Sequence, residues 1–163
     1  MSQTSTSNIS FTDKYKPGGT ASIICGNHWV ARIIEKGEDA AGLGRWTYVE
    51  LHGNQITKIL HITWYLVCRQ SVTSAGEKTA FMQQHTLLRE IFPELAIDPR
   101  RQSVLDMQLF ITKKQQEGYF IILSTDGNEN LSSSKRGYCP VVSETIHVFS
   151  KDHDGSVLTL INT

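Results

Sequence analysis

Between residues 56 and 123 the spacing of apolar residues changes period twice, and this constrains the fold more than any other feature of the chain. Residues 56–67 (ITKILHITWYLV) are dense in β-branched and aromatic side chains and predict a strand. Just before it, residues 45–51 (RWTYVEL) alternate, with Trp46, Tyr48 and Glu50 opposite Thr47, Val49 and Leu51. His52-Gly53-Asn54-Gln55 between the two runs predicts a hairpin turn. The period then becomes helical. Phe81, His85, Leu88 and Phe92 fall on one helical face, Ser74-Ala75-Gly76-Glu77 has the form of a capping box before them, and Pro93 ends the helix. Asp98-Pro99 predicts a second helix start, because Asp suits the N-cap and Pro the first helical position. Val104, Met107, Gln108 and Ile111 run along one side of that helix, with Leu105 and Leu109 beside them; Lys113-Lys114 and then Gly118 suit its C-terminal end. Residues 119–123 (YFIIL) return to strand character and are expected to be buried on both faces. Strand, helix, helix, strand is an α/β arrangement.

The flanks carry weaker signals. Residues 1–16 are rich in Ser and Thr and predict a disordered polar lead-in, leaving residues 17–163 as one domain. Pro17-Gly18-Gly19 predicts a turn, residues 21–25 (ASIIC) a first strand and residues 30–34 a second. Residues 35–44 hold three glycines and three acids and are expected to form a loop. Residues 132–137 (SSSKRG) predict another loop, residues 141–149 are mixed, and residues 157–161 begin a further apolar segment.

Composition sets limits on function. The 163 residues suffice for one domain with a real core, and 16 basic side chains balance 16 acidic ones. Zero net charge gives no overall attraction to polyanions or to a membrane surface, so any such binding needs a local patch. Cys25, Cys68 and Cys139 are far apart, with no CxxC and no Cys/His ligand spacing, which argues against a zinc site or a disulfide framework. The first ten residues lack the apolar core of a signal peptide, and no apolar run approaches the ~20 residues of a membrane span. A soluble, intracellular protein, cytoplasmic or nuclear, is expected.

One stretch points to chemistry. The apolar run YFIIL leads into Ser124-Thr125-Asp126-Gly127-Asn128-Glu129. In open α/β sheets the ends of strands are where ligands bind. Asp126 supplies a full charge, Asn128 both a donor and an acceptor, and Gly127 allows a sharp turn and close approach. Such a pair can orient a water and hold a phosphate oxygen. D-G-N-E is equally the composition of an ordinary turn after a strand, and both readings stand on the residues alone.

The order GGTASII, GLGRWTYVEL, HITWYLVC, the TAFMQQ helix, the PRRQSVLDMQLFI helix and IILSTDGNE resembles the endonuclease/exonuclease/phosphatase superfamily. More narrowly, it is similar to the endonuclease-like domains of retroelement open reading frames, over about residues 18 to 130. The resemblance implies a DNase I-like α/β sandwich of two mixed sheets with helices outside. It implies cleavage of phosphodiester or phosphomonoester bonds with Mg²⁺ or Mn²⁺, and nucleic acid or another phosphodiester as substrate. Asp126 would align or deprotonate the attacking water, Asn128 would hydrogen-bond the scissile phosphate, and Tyr65 at the end of HITWY would contact the phosphate. Arg45, Lys135 and Arg136 are candidates for phosphate contacts, against the commoner case of a solvated charge. Glu129 is the candidate metal ligand.

The chain also departs from that pattern. Relatives carry an Asn and a metal-binding Glu before the GGT segment, and an Asp-His pair near the C-terminal end. Here the first region is a short polar stretch and the second is missing, so a partial domain, cut at both ends and inactive or incompletely equipped, is expected. Leu66 stands where relatives tend to carry Arg. Asp152-His153-Asp154 has the chemistry of an acid-His pair but the context of a solvated turn. Trp29, Trp46, Trp64 and Tyr48 could stack on bases, although such residues more often belong to the core. His85 and Cys68 have the bland reading of buried side chains. Two functions follow: a metal-dependent phosphodiester hydrolase of endonuclease type, or a non-catalytic binding or scaffold domain that keeps the fold without the chemistry.

Overall fold

The computed structural model of the chain describes residues 1–8, 19–23, 26–126, 146–149 and 156–161. It is a mixed α/β structure. In chain order the elements are β1 (Ser2–Thr6), β2 (Gly19–Ile23), α1 (Asn27–Val30), β3 (Ile33–Glu38), β4 (Trp46–His52), β5 (Lys58–Tyr65), α2 (Ala80–Ile91), α3 (Pro99–Gln116), β6 (Tyr119–Asp126), β7 (Ile146–Phe149) and β8 (Ser156–Ile161). Six strands form one sheet in the order β3-β4-β5-β6-β8-β7, and β1 and β2 form a two-stranded sheet of their own.

The centre of the sheet follows from the central run of the sequence. β4 and β5 pair antiparallel, from Trp46 opposite Trp64 to His52 opposite Lys58. Their turn closes with the Gly53 amide donating to the Thr57 carbonyl at 2.8 Å. The two helices then carry the chain back across the sheet, so β6 joins β5 in parallel, from Lys58 opposite Tyr119 to Tyr65 opposite Asp126. Alternation puts Leu60, Ile62 and Trp64 on one face with Ile121 and Leu123, and α3 covers that face with Met107 and Ile111. Leu60, Ile62 and Met107 are fully buried. Phe110 lies against Trp46 and Tyr48 with ring centroids 6.3 and 5.1 Å away.

The opposite face meets the small sheet. Thr47 and Thr63 point away from α3, and the Ser22 hydroxyl of β2 bonds both, at 2.7 and 2.6 Å. This face is only partly covered over β6. Ile121 and Leu123 are buried, but Ile122 is half-buried and Phe120 is exposed, so the strand is buried on one face and not on both as its composition predicts.

Helix ends show how local signals fared. Asp98 caps α3 as expected: its carboxylate accepts from the Arg101 amide at 2.7 Å, with Pro99 at the first turn. Gly118, just past the helix, takes φ +83°, which Gly adopts at little cost. The cap of α2, however, is Thr79 and not Ser74: Thr79 Oγ1 accepts from the Met82 amide at 3.3 Å. Ser74 is spent on its own turn, where its hydroxyl bonds Ser71 Oγ at 2.8 Å and accepts from the Ser71 amide at 3.0 Å.

Four further expectations change. Residues 2–6 of the lead-in form β1, paired along its length with β2, and Ser5 and Ser7 are buried. Alternating Ser and Thr can form a strand without apolar side chains when a partner supplies the ladder. The loop expected over residues 35–44 is in part β3, an edge strand whose Glu35, Lys36 and Glu38 suit an edge that should not recruit other chains. Residues 30–34 are not one strand: Val30 ends α1 and β3 begins at Ile33, with a bulge between Ile33 and Glu35. Cys68 is exposed, contrary to the buried reading.

A polar clamp fastens the far end of α3. Glu50 on β4 is buried, and Lys114 donates to its carboxylate at 2.5 Å while also reaching Glu117 at 3.1 Å. Tyr119 donates its hydroxyl to the other Glu50 oxygen, between the ammonium groups of Lys58 and Lys114 at 5.2 and 5.1 Å from its ring. Burial, then the hydrogen bond to Glu50, pushes the Tyr119 hydroxyl up to about 12. The folded state therefore holds this proton more tightly than the unfolded chain does. Stability from this group is fully present below pH ~10 and is lost as pH rises towards about 12. Urea melts between pH 9 and 12 should show that decline, and Tyr119→Phe should flatten it; an unchanged slope in the variant would locate the alkaline transition elsewhere.

Candidate active site

The two described residues of the expected catalytic set come together. Tyr65 ends β5, Asp126 ends β6, and they are register partners at the C-terminal end of the parallel pair. Both lie on the sheet face away from α3, Tyr65 half-buried and Asp126 exposed. Asp126 is also in register with Ser156 of β8 on its other side. The end of the sheet is tied down by the backbone: the Leu66 amide donates to the Asp126 carbonyl at 3.0 Å, and the Tyr65 amide to the Arg45 carbonyl at 2.8 Å. Gly127, Asn128, Glu129, Lys135 and Arg136 lie outside the described residues, as does Asp152-His153-Asp154.

Arg45 does not belong to a phosphate-binding surface. Its side chain is 1% exposed, Nε and Nη2 donate to Asp39 at 2.6 and 2.9 Å, and Nη1 donates to Asp106 at 2.6 Å. Burial works against the charge, yet the bonds and charges of Asp39 and Asp106 outweigh it and raise the guanidinium pKa above its usual value. With its donors committed to two carboxylates inside the protein, the group cannot meet a substrate. Its nearness in sequence to Gly44 made it a candidate; its partners, 6 and 61 residues away, decide otherwise.

One further pair on this face escaped the sequence. His61 Nε2 lies 3.2 Å from Ser124 Oγ, and burial lowers the imidazole pKa. His61 is four residues before Tyr65 on the same strand, about 13 Å along it, too far for both to reach one phosphate. Trp46 and Trp64 are core residues, and Trp64 Nε1 donates to Ser103 Oγ at 3.0 Å, whereas Trp29 is exposed. His85 is half-buried and stacks on Phe81.

Among the described residues no three His, Cys, Asp or Glu side chains gather into a metal site. Mg²⁺ asks for less than a closed cage: one or two carboxylates, with water and substrate phosphate oxygens completing the shell. The exposed carboxylate of Asp126 is a donor of that kind. No helix among the described residues is long and apolar enough to cross a membrane. No family model, curated protein or solved structure matches the chain.

Proposed function

We propose that the chain is a metal-dependent phosphodiester hydrolase of endonuclease type, built as part of a DNase I-like sandwich. The observation that carries this reading is the pairing of Tyr65 with Asp126 at the C-terminal end of β5 and β6, supported by the resemblance of the surrounding segments. Asp126 aligns the attacking water and draws off its proton; the water oxygen bonds to phosphorus as the bond to the leaving alkoxide breaks, and solvent water protonates that alkoxide. Tyr65 donates its hydroxyl to a non-bridging phosphate oxygen, and Asn128 donates to the same phosphate; neutral donors stabilise the growing charge without opposing the nucleophile. Glu129, by its place in the sequence, is the residue that would hold Mg²⁺ or Mn²⁺, which when bound would neutralise phosphate charge and lower the pKa of water. Lys135 and Arg136 remain candidates for contacts to the substrate backbone, and nucleic acid is the substrate class.

Nicking of supercoiled plasmid tests the reading. Cleavage with Mg²⁺ or Mn²⁺ that EDTA abolishes is expected, with Asp126→Ala slower by about a hundredfold or more and Tyr65→Phe by less. Cleavage that survives in Asp126→Ala, or none from folded wild-type protein, would count against it. The second reading, a non-catalytic binding domain, draws on the commitment of Arg45 to Asp39 and Asp106, which takes one expected substrate contact away from the site.

A further inference from the structure

We infer that Arg100 is a positioning residue for the Tyr65–Asp126 pair, acting through the backbone that carries both. Arg100 is the second residue of α3 and is only 8% exposed. Its Nη1 donates to the Val67 carbonyl at 2.5 Å, across 33 residues of sequence. Val67 is itself buried, two residues beyond Tyr65, where the chain has left β5. Between them Leu66 donates its amide to the Asp126 carbonyl. The segment 65–67 is thus held from three directions: by the Arg45 carbonyl at Tyr65, by the end of β6 at Leu66, and by the guanidinium at Val67.

The geometry explains the need for such a tie. A strand end beyond its last ladder partner is free to fray, and Tyr65 and Asp126 stand at that end. A charged donor on a carbonyl is stronger than a neutral one, and α3 is a stiff base, fixed by Asp98 at its cap and by Trp64 on Ser103. Misplacement by about 1 Å can cost about a hundredfold in rate, so a bond that fixes Val67 bears on catalysis without touching substrate. The catalytic side of the inference rests on the phosphodiesterase reading; the structural side does not.

The experiment reads both sides. In Arg100→Ala the Leu66 amide should lose hydrogen-exchange protection by about a hundredfold relative to the Leu60 amide inside β5. In cleavage assays kcat should fall by about a hundredfold with KM little changed, and millimolar guanidinium should restore part of the loss. Equal loss of protection at Leu66 and Leu60 would overturn the inference, as would cleavage with wild-type kcat in the variant. Selective loss at Leu66 with no cleavage by the wild type would uphold the positioning and sink the phosphodiesterase reading. If Arg100→Ala does not fold, Arg100→Met, which keeps the packed stem and removes the donor, should show the same selective loss of protection at Leu66, and equal loss at Leu66 and Leu60 or none at Leu66 would overturn the inference.

Discussion

Arg45→Ala should cost about 3–5 kcal/mol, a large part of the total stability of an ordinary domain. Asp39 is 3% exposed and takes two bonds from the guanidinium. Removing the cation leaves a desolvated carboxylate with its main partner gone, which is the expensive half of a buried ion pair. Asp106 suffers less, because its side chain is 27% exposed and also accepts from Gln102 at 2.7 Å. Asp106→Asn should therefore be milder than any change at Arg45. Arg45→Lys should not rescue, since a single ammonium cannot present the fork that spans Asp39 and Asp106. Urea denaturation of the three variants gives the order directly, and a loss under about 1 kcal/mol in Arg45→Ala would mean that water enters the site.

Replacing a buried ion pair by apolar residues is often neutral, but this one has other duties. Asp39 also accepts from the Ala41 amide at 3.1 Å and donates its own amide to the Trp46 carbonyl at 3.0 Å, so it shapes the turn into β4. The Arg45 guanidinium lies over the Trp46 ring at 4.5 Å, and its carbonyl receives the Tyr65 amide. The network joins the 39–45 loop, α3 and the end of β5. Its loss should loosen the candidate site along with the core.

That network also shows where sequence reading stops. Asp98-Pro99 was legible as a helix start because the cap and its acceptor are three residues apart. The hairpin of β4 and β5 was legible for the same reason, as strong strand signals flank a short turn. Strand, helix, helix, strand was legible as an α/β arrangement, whereas the parallel pairing of residues 58–65 with 119–126, which brings Tyr65 to Asp126, is set by the packing of the two helices between them. β1 gave no signal, because five polar residues bury little apolar surface by themselves and gain their ladder only from β2. The role of Arg45 was hidden for a related reason: Asp106 is 61 residues away, and a charge beside a glycine has the same composition whether it faces solvent or the core. The Ser124–His61 bond likewise joins two strands 63 residues apart and has no local trace.

Trp64→Ala should rival the loss at Arg45, at about 3–5 kcal/mol. Trp64 is 3% exposed and sits in the cluster that binds the sheet to α3, beside Met107, Leu66 and Leu123. Truncation removes a large apolar surface and leaves a cavity between layers that cannot close without moving α3. It also takes the indole donor from Ser103, which is 1% exposed, at a further cost of about 1 kcal/mol. Trp64→Phe separates the two effects, keeping most of the volume and losing the bond. Leu109→Ala on the same helix is the internal control: at 72% exposure it should change stability by less than about 0.5 kcal/mol. If Trp64→Ala proved no worse than Leu109→Ala, α3 would not be docked on the sheet as described, and the tie from Arg100 to the candidate site would lose its base.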